Sequence, residues 1–185
     1  MNKFLDIGDV LVAIGIFLLF VASYSLNELF DPYTIYAPGV SLLFIPAGVK
    51  LLAILVARGP AIFGLFFASV YLSMGLWTQL GYLSFYYFAL ISILTYSIAV
   101  YLVIGYFKIS NTLLNLRYRH IVLMALIACL LNGCMHNVVY MWQGVTSHED
   151  LWSKSLAMSL GDFMGCFVVV SIFKIFLKSY SKFFK

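Results

Sequence analysis

The sequence predicts an all-α, polytopic transmembrane helix bundle of about six spans, with both termini cytoplasmic. Three observations carry this prediction: a scarcity of charge, apolar windows of bilayer length, and basic residues gathered on one side. Of the 185 residues, 64% are hydrophobic and only 10% are charged, against roughly 25% charged in a soluble domain. So few charges cannot clothe a soluble globule of this size, and most of the surface must face lipid. The chain reads as a single membrane domain.

A bilayer core takes about 20 mainly apolar residues per helix. The windows that qualify are residues 7–25, 37–57, 61–77, 82–107, 121–143 and 157–177. The first has a signal peptide as its rival. Lys3 is a weak basic start, and Asp6 and Asp9 stand where a signal peptide needs positive charge. The segment is therefore expected to stay as a span. The third window is short and the fourth long, and only residues 108–120 and 144–156 leave room for loops of any size.

Orientation follows from the cations. In a six-span arrangement Lys3, Arg58, Lys108, Arg117, Arg119, Lys174, Lys178, Lys182 and Lys185 fall on one side, and Lys154 falls on the other. Such a bias marks the cytoplasmic face. Lys174, Lys178 and Lys182 recur at helical spacing, as expected of a last helix emerging through an anionic leaflet with its lysines snorkelling. The net charge of +4 sits at helix ends rather than on one soluble face, so no nucleic-acid partner is expected. Cys129, Cys134 and Cys166 all lie in apolar runs and read as small core residues, not as a disulfide framework.

Two charges remain inside the spans, Lys50 and Asp162. Each costs about 2.5–3.5 kcal/mol at the bilayer centre, so neither should face lipid. Lys50 lies roughly 12 Å above the cytoplasmic boundary set by Arg58, and Asp162 roughly 8 Å below the outer one, at about 1.5 Å per residue. Their backbones thus differ in depth by about 10 Å in a core of about 30 Å. A direct pair is compatible with that gap but not forced by it. Pro38-Gly39 and Pro46-Ala47-Gly48 punctuate the second window. Pro46 either kinks that span or splits it, giving a half-helix whose positive end points toward the membrane middle, as in transporters. Asn132, His136 and Tyr140 form an i, i+4, i+8 stripe beside Asn137, at about the depth of Asp162. Such stripes join helices or line a binding site. His136 and Cys134 point to different helix faces, so no metal or haem site is expected, and His120 and His148 read as loop residues. Ala157, Gly161 and Gly165 repeat a small residue every fourth position, which invites close approach of another helix. No metalloprotease, phosphate-loop or nucleophile-elbow signature occurs, so an enzyme is not expected and no cofactor is implied.

Pro46-Ala47-Gly48-Val49, then Arg58, Pro60 and Phe63-Gly64-Leu65-Phe66, with Gly161-Asp162-Phe163-Met164-Gly165 near the end, resemble the membrane-associated sensor (MASE-type) domains. That resemblance implies a sensory membrane domain of the bacterial inner (plasma) membrane, of the kind found ahead of histidine kinases and diguanylate cyclases. The chain departs from the pattern in being shorter, in lacking an output domain after Lys185, and in carrying Lys50 where a small or apolar residue is usual. The layout also resembles the six-helix substrate-binding components of vitamin transporters. The expectation is a stand-alone sensor that binds a small molecule among Lys50, Asp162, His136, Asn132, Pro46 and Gly161 and signals to a membrane or cytoplasmic protein partner. A small-solute transporter and a structural subunit of a membrane complex are the alternatives.

Overall fold

The computed structural model describes residues 6–76 and 81–183. Lys3, Trp77 and Lys185 lie outside them, as do the side chains of Lys178 and Lys182. Helix α1 (Ile7–Glu28) is followed by a single turn, α2 (Asp31–Thr34), and by a small antiparallel hairpin of β1 (Ile35–Ala37) and β2 (Val40–Ser41). Four long helices complete the chain: α3 (Ile45–Leu76), α4 (Tyr82–Tyr106), α5 (Tyr118–Trp142) and α6 (Leu151–Phe183). Among the described residues, α1 and α3 to α6 are the five helices long and apolar enough to cross a membrane. Large side chains such as Leu11, Leu18, Leu94, Leu102 and Phe167 are exposed around the bundle, which is the surface of a multi-pass membrane protein.

Helix α3 is not one rod. Arg58 has φ 49° and ψ −113°, outside helical space, and Gly59 and Pro60 follow it. Proline suits the first turn of a new helix because its missing N–H would be unpaired there anyway. Contacts with α1 reverse direction at this point. Before it, the Ile45 N–H meets Asn27 and the Lys50 ammonium lies over the Phe20 ring. After it, Gly64 lies directly on the Ala13 carbonyl and Tyr71 faces Phe17. Residues 45–57 therefore run antiparallel to α1, and residues 60–76 run parallel to it. The Arg58 turn, the Lys108 loop and Lys174 gather at one end of the bundle. There the Arg58 guanidinium donates to Asn111 (2.9 Å) and Lys174 sits over the Tyr118 ring (5.2 Å).

Three expectations need correction. The window 37–57 is helical only from Ile45, because the Pro38-Gly39 pair turns the chain into a hairpin. Proline presets the first corner, and Gly39 takes the second at φ 73°. Pro46 does not break a span; it stands in the first turn of α3, where proline belongs. His120 is also no loop residue. It lies buried in the first turn of α5, stacked on Phe107 with ring centroids 4.6 Å apart.

The start of α3 is held from outside. The Ile45 N–H donates to Asn27 Oδ1 (2.8 Å), Asn27 Nδ2 donates to Asp31 (2.9 Å), and the Phe44 N–H donates to the Gly161 carbonyl (3.0 Å). Asn27 is buried, so Asn27→Ala leaves the Ile45 N–H without its partner. Loss of about 1–3 kcal/mol is expected from this unpaired donor. An unchanged unfolding midpoint in detergent would contradict that expectation.

Between the Arg58 turn and the level of Lys50 the interior is filled by apolar side chains. Leu51, Ile54, Leu55, Leu65, Val100, Val103 and Met124 are fully buried there. The other half of the bundle, toward the hairpin, holds the polar groups.

Candidate functional site

Lys50 and Asp162 are 2% and 1% exposed, so both charges are removed from lipid and water. They do not form a direct ion pair: among the described residues the ion pair found is Lys154–Asp150, at 3.3 Å. Tyr96 of α4 stands between them instead. The Lys50 ammonium lies 4.6 Å from the centre of the Tyr96 ring, and the Tyr96 hydroxyl donates to Asp162 Oδ2 (3.3 Å). A desolvated cation over an aromatic face gains about 2 kcal/mol. Lys50 Nζ also donates to the Ser92 hydroxyl, one turn of α4 from Tyr96 toward the hairpin. The lysine stem thus crosses part of the depth gap that the sequence implies, and the tyrosine crosses the rest.

Asp162 is held more tightly. Asn132 Nδ2 donates to its Oδ2 at 2.6 Å, and Asn132 Oδ1 accepts from the Thr95 hydroxyl at 3.3 Å. Charge-assisted bonds of this kind are the strong members of a buried network. One turn further along α5, His136 Nδ1 faces the Asn132 carbonyl at 3.1 Å. A carbonyl only accepts, so this nitrogen carries the proton. The imidazole stacks on Phe88 (5.9 Å between centroids, 15° between planes) and meets Tyr140 edge-on.

Several of these groups border a cavity of about 130 Å³. Lys50, Ser92, Asn132, His136 and Tyr140 supply much of its polar lining, Ser69 and Ser73 add hydroxyls from the far half of α3, and Gly39 of the hairpin covers it. A neighbouring cleft of about 320 Å³ is lined by Asp162, Asn27, Asp31 and Ser41. The two share Tyr24, Gly39, Phe44 and Met158 as common walls. Asp31 borders the cleft from α2, beyond the long apolar helices, and partial burial pushes its carboxyl up from the usual carboxylate range.

Comparison with protein-family models, curated proteins and solved structures finds no match. The chain's own residues must carry the functional argument.

Lys50, Asp162, Asn132 and His136 are brought together. Pro46 and Gly161 line neither the cavity nor the cleft. Pro46 opens α3, while Gly161 lets the Ser41 carbonyl lie on the α6 backbone, where any Cβ would collide with it. The small-residue stripe of α6 therefore admits an extended strand end and the start of α3, where the spacing alone suggested another helix. Asn137 is buried but turns away from the cavity, donating to the Gly133 carbonyl (2.9 Å) and the Met158 sulfur (3.6 Å). The cysteines lie as small core residues do: Cys129 and Cys166 are buried side by side as thiols (3.9 Å), and Cys134 is half-buried.

Sequence reasoning missed Tyr96 and Ser92, which complete the site. Ser92 and Tyr96 are an i, i+4 pair on one face of an otherwise apolar helix, beside Thr95. That polar stripe was the available signal, and it points to the same interior as the stripe on α5.

Proposed function

We propose that this chain is a six-span membrane domain of the sensor (MASE-type) kind. It takes a small ligand bearing an anionic group into the cavity at Lys50 and passes the change to a cytoplasmic partner. The observation that carries the reading is Lys50 itself: a buried ammonium with no carboxylate in direct contact, lining a cavity among hydroxyl, amide and imidazole groups. An anion entering there would supply the direct charge contact that Asp162, linked only through Tyr96, does not make, while Ser92, Asn132 and His136 offer polar contacts for its remaining atoms.

Six crossings are supported by the reversal of α3 at Arg58, with residues 45–57 as a short pass and residues 60–76 as another. Placement of both termini in the cytoplasm is supported by Arg58, Lys108, Arg117, Arg119 and Lys174, which share the end of the bundle from which α1 departs. Apolar packing on that side of Lys50 supports a site reached from the opposite side, as a receptor of external solutes requires. The motifs behind the family resemblance also meet in space: Gly48 of the first lies against Gly165 and Val169 around the second.

The test is affinity isolation in mild detergent, with co-purifying small molecules identified by mass spectrometry, repeated for Lys50→Met. A stoichiometric small anion present with the parent protein and lost with the variant is the expected result. The same set of molecules with both proteins would remove Lys50 from any binding role and end this reading. A transporter is the second reading, favoured by the start of α3 beside the cavity instead of at the bundle's end. Solute counterflow in proteoliposomes would select it over a sensor.

A further inference from the structure

At the Arg58 end of the bundle, on its outer flank, α3, α5 and α6 leave a groove between them that no helix fills. Its volume is about 400 Å³. The walls are apolar: Leu52, Leu55 and Val56 from α3, Ile121 from α5, and Val170 and Phe173 from α6, with Leu113 and Leu116 of the connecting loop across one end. At the mouth stand two cations, Arg117 and Lys174. The ion pair found among the described residues lies elsewhere, between Lys154 and Asp150, so neither cation has a carboxylate partner there. Lys174 is instead steered over the Tyr118 ring, 5.2 Å from its centre, which holds its ammonium at the groove's rim. The acids of this end, Asp6 and Asp9, sit on α1, which packs on α3.

We infer that this groove is a binding site for an anionic phospholipid, its phosphate between Arg117 and Lys174 and an acyl chain along the apolar wall. The groove opens on the lipid-facing flank, so the occupant is drawn from the bilayer. Basic pockets between helices at a membrane's surface select anionic headgroups, each cation being worth about fivefold in affinity. The apolar wall distinguishes this site from a surface that only attracts counter-ions. The inference is independent of the cavity at Lys50.

The test uses the full chain in detergent, delipidated and then titrated with phosphatidylglycerol or phosphatidylcholine of equal chain length. Native mass spectrometry counts bound lipid, and thermal unfolding reports its effect. Retention of phosphatidylglycerol over phosphatidylcholine is expected, weakened about tenfold or more in Arg117→Gln/Lys174→Gln. Val56→Trp, which fills the groove from an exposed position, should weaken both lipids and leave the lipid-free unfolding midpoint unchanged. Equal binding of the two lipids by the parent protein would overturn the inference. So would full phosphatidylglycerol retention by the double variant, or equal protection by inorganic phosphate, which has no acyl chain to use the wall.

Discussion

Asp162→Ala is expected to remove most of the stability of the bundle. The carboxylate accepts from Asn132 and Tyr96, at the hydroxyl end of the ring whose face carries the Lys50 ammonium. Truncation leaves two buried donors unpaired and a buried cation with no compensating charge. Breaking a buried charged network from one side costs about 3–5 kcal/mol, most of it from the groups left behind. Unfolding in a denaturing-detergent titration should therefore move to much lower denaturant in Asp162→Ala. The coupled variant Lys50→Met/Asp162→Leu removes both charges and should recover a large part of the loss. If the double change is as damaging as the sum of the single ones, Lys50 and Asp162 act separately, and Tyr96 does not link them.

Gly165→Val and Gly161→Val are expected to prevent assembly for a different reason. A Cβ on Gly165 would strike the Phe44 carbonyl, and one on Gly161 would strike the Ser41 carbonyl. Both obstacles are backbone, with no side chain that can rotate away. Overpacking a core with flexible neighbours costs about 1–3 kcal/mol, and a rigid neighbour raises that figure. Gly15 supplies the control, because nothing lies within 4 Å of its added Cβ. Gly15→Ala should be neutral or stabilise by up to about 1 kcal/mol, as alanine does in an open helical position. Size-exclusion profiles of the variants in detergent would separate the two outcomes. A monodisperse Gly165→Val of parental stability would mean that the α3 start does not rest on α6.

Much of the fold was legible because lipid imposes a simple rule on composition. The windows behind α1, α4 and α5 needed shifts of only a few residues, and α6 extends its window at both ends. The Arg58-Gly59-Pro60 turn stood out as the boundary between the second and third apolar windows. The convergence of Lys50 and Asp162 was legible for the same reason, since charges that lipid rejects must go inward. The hairpin at residues 35–41 was not. Val40, Leu42 and Leu43 are as apolar as a span, and hydropathy cannot tell an extended segment resting on glycines from a helix facing lipid. Pro46 was ambiguous in kind, because a proline that breaks one helix and a proline that opens another look alike until the helix start is known. Tyr96 was missed because tyrosine is ordinary in a membrane helix, and its bridging role depends on which helices face it.

Because α3 begins on groups lent by α1 and α6, its order of arrival in the membrane matters. Residues 45–57 make only about 20 Å of helix, short of the roughly 30 Å of a bilayer core. The Phe44 N–H that precedes them finds its acceptor on α6, which leaves the ribosome well after α3. During synthesis that segment must wait, its first turn uncapped on one side, until α6 arrives to complete it. The interior around Lys50 is therefore sealed only after α6 has joined α1 and α3.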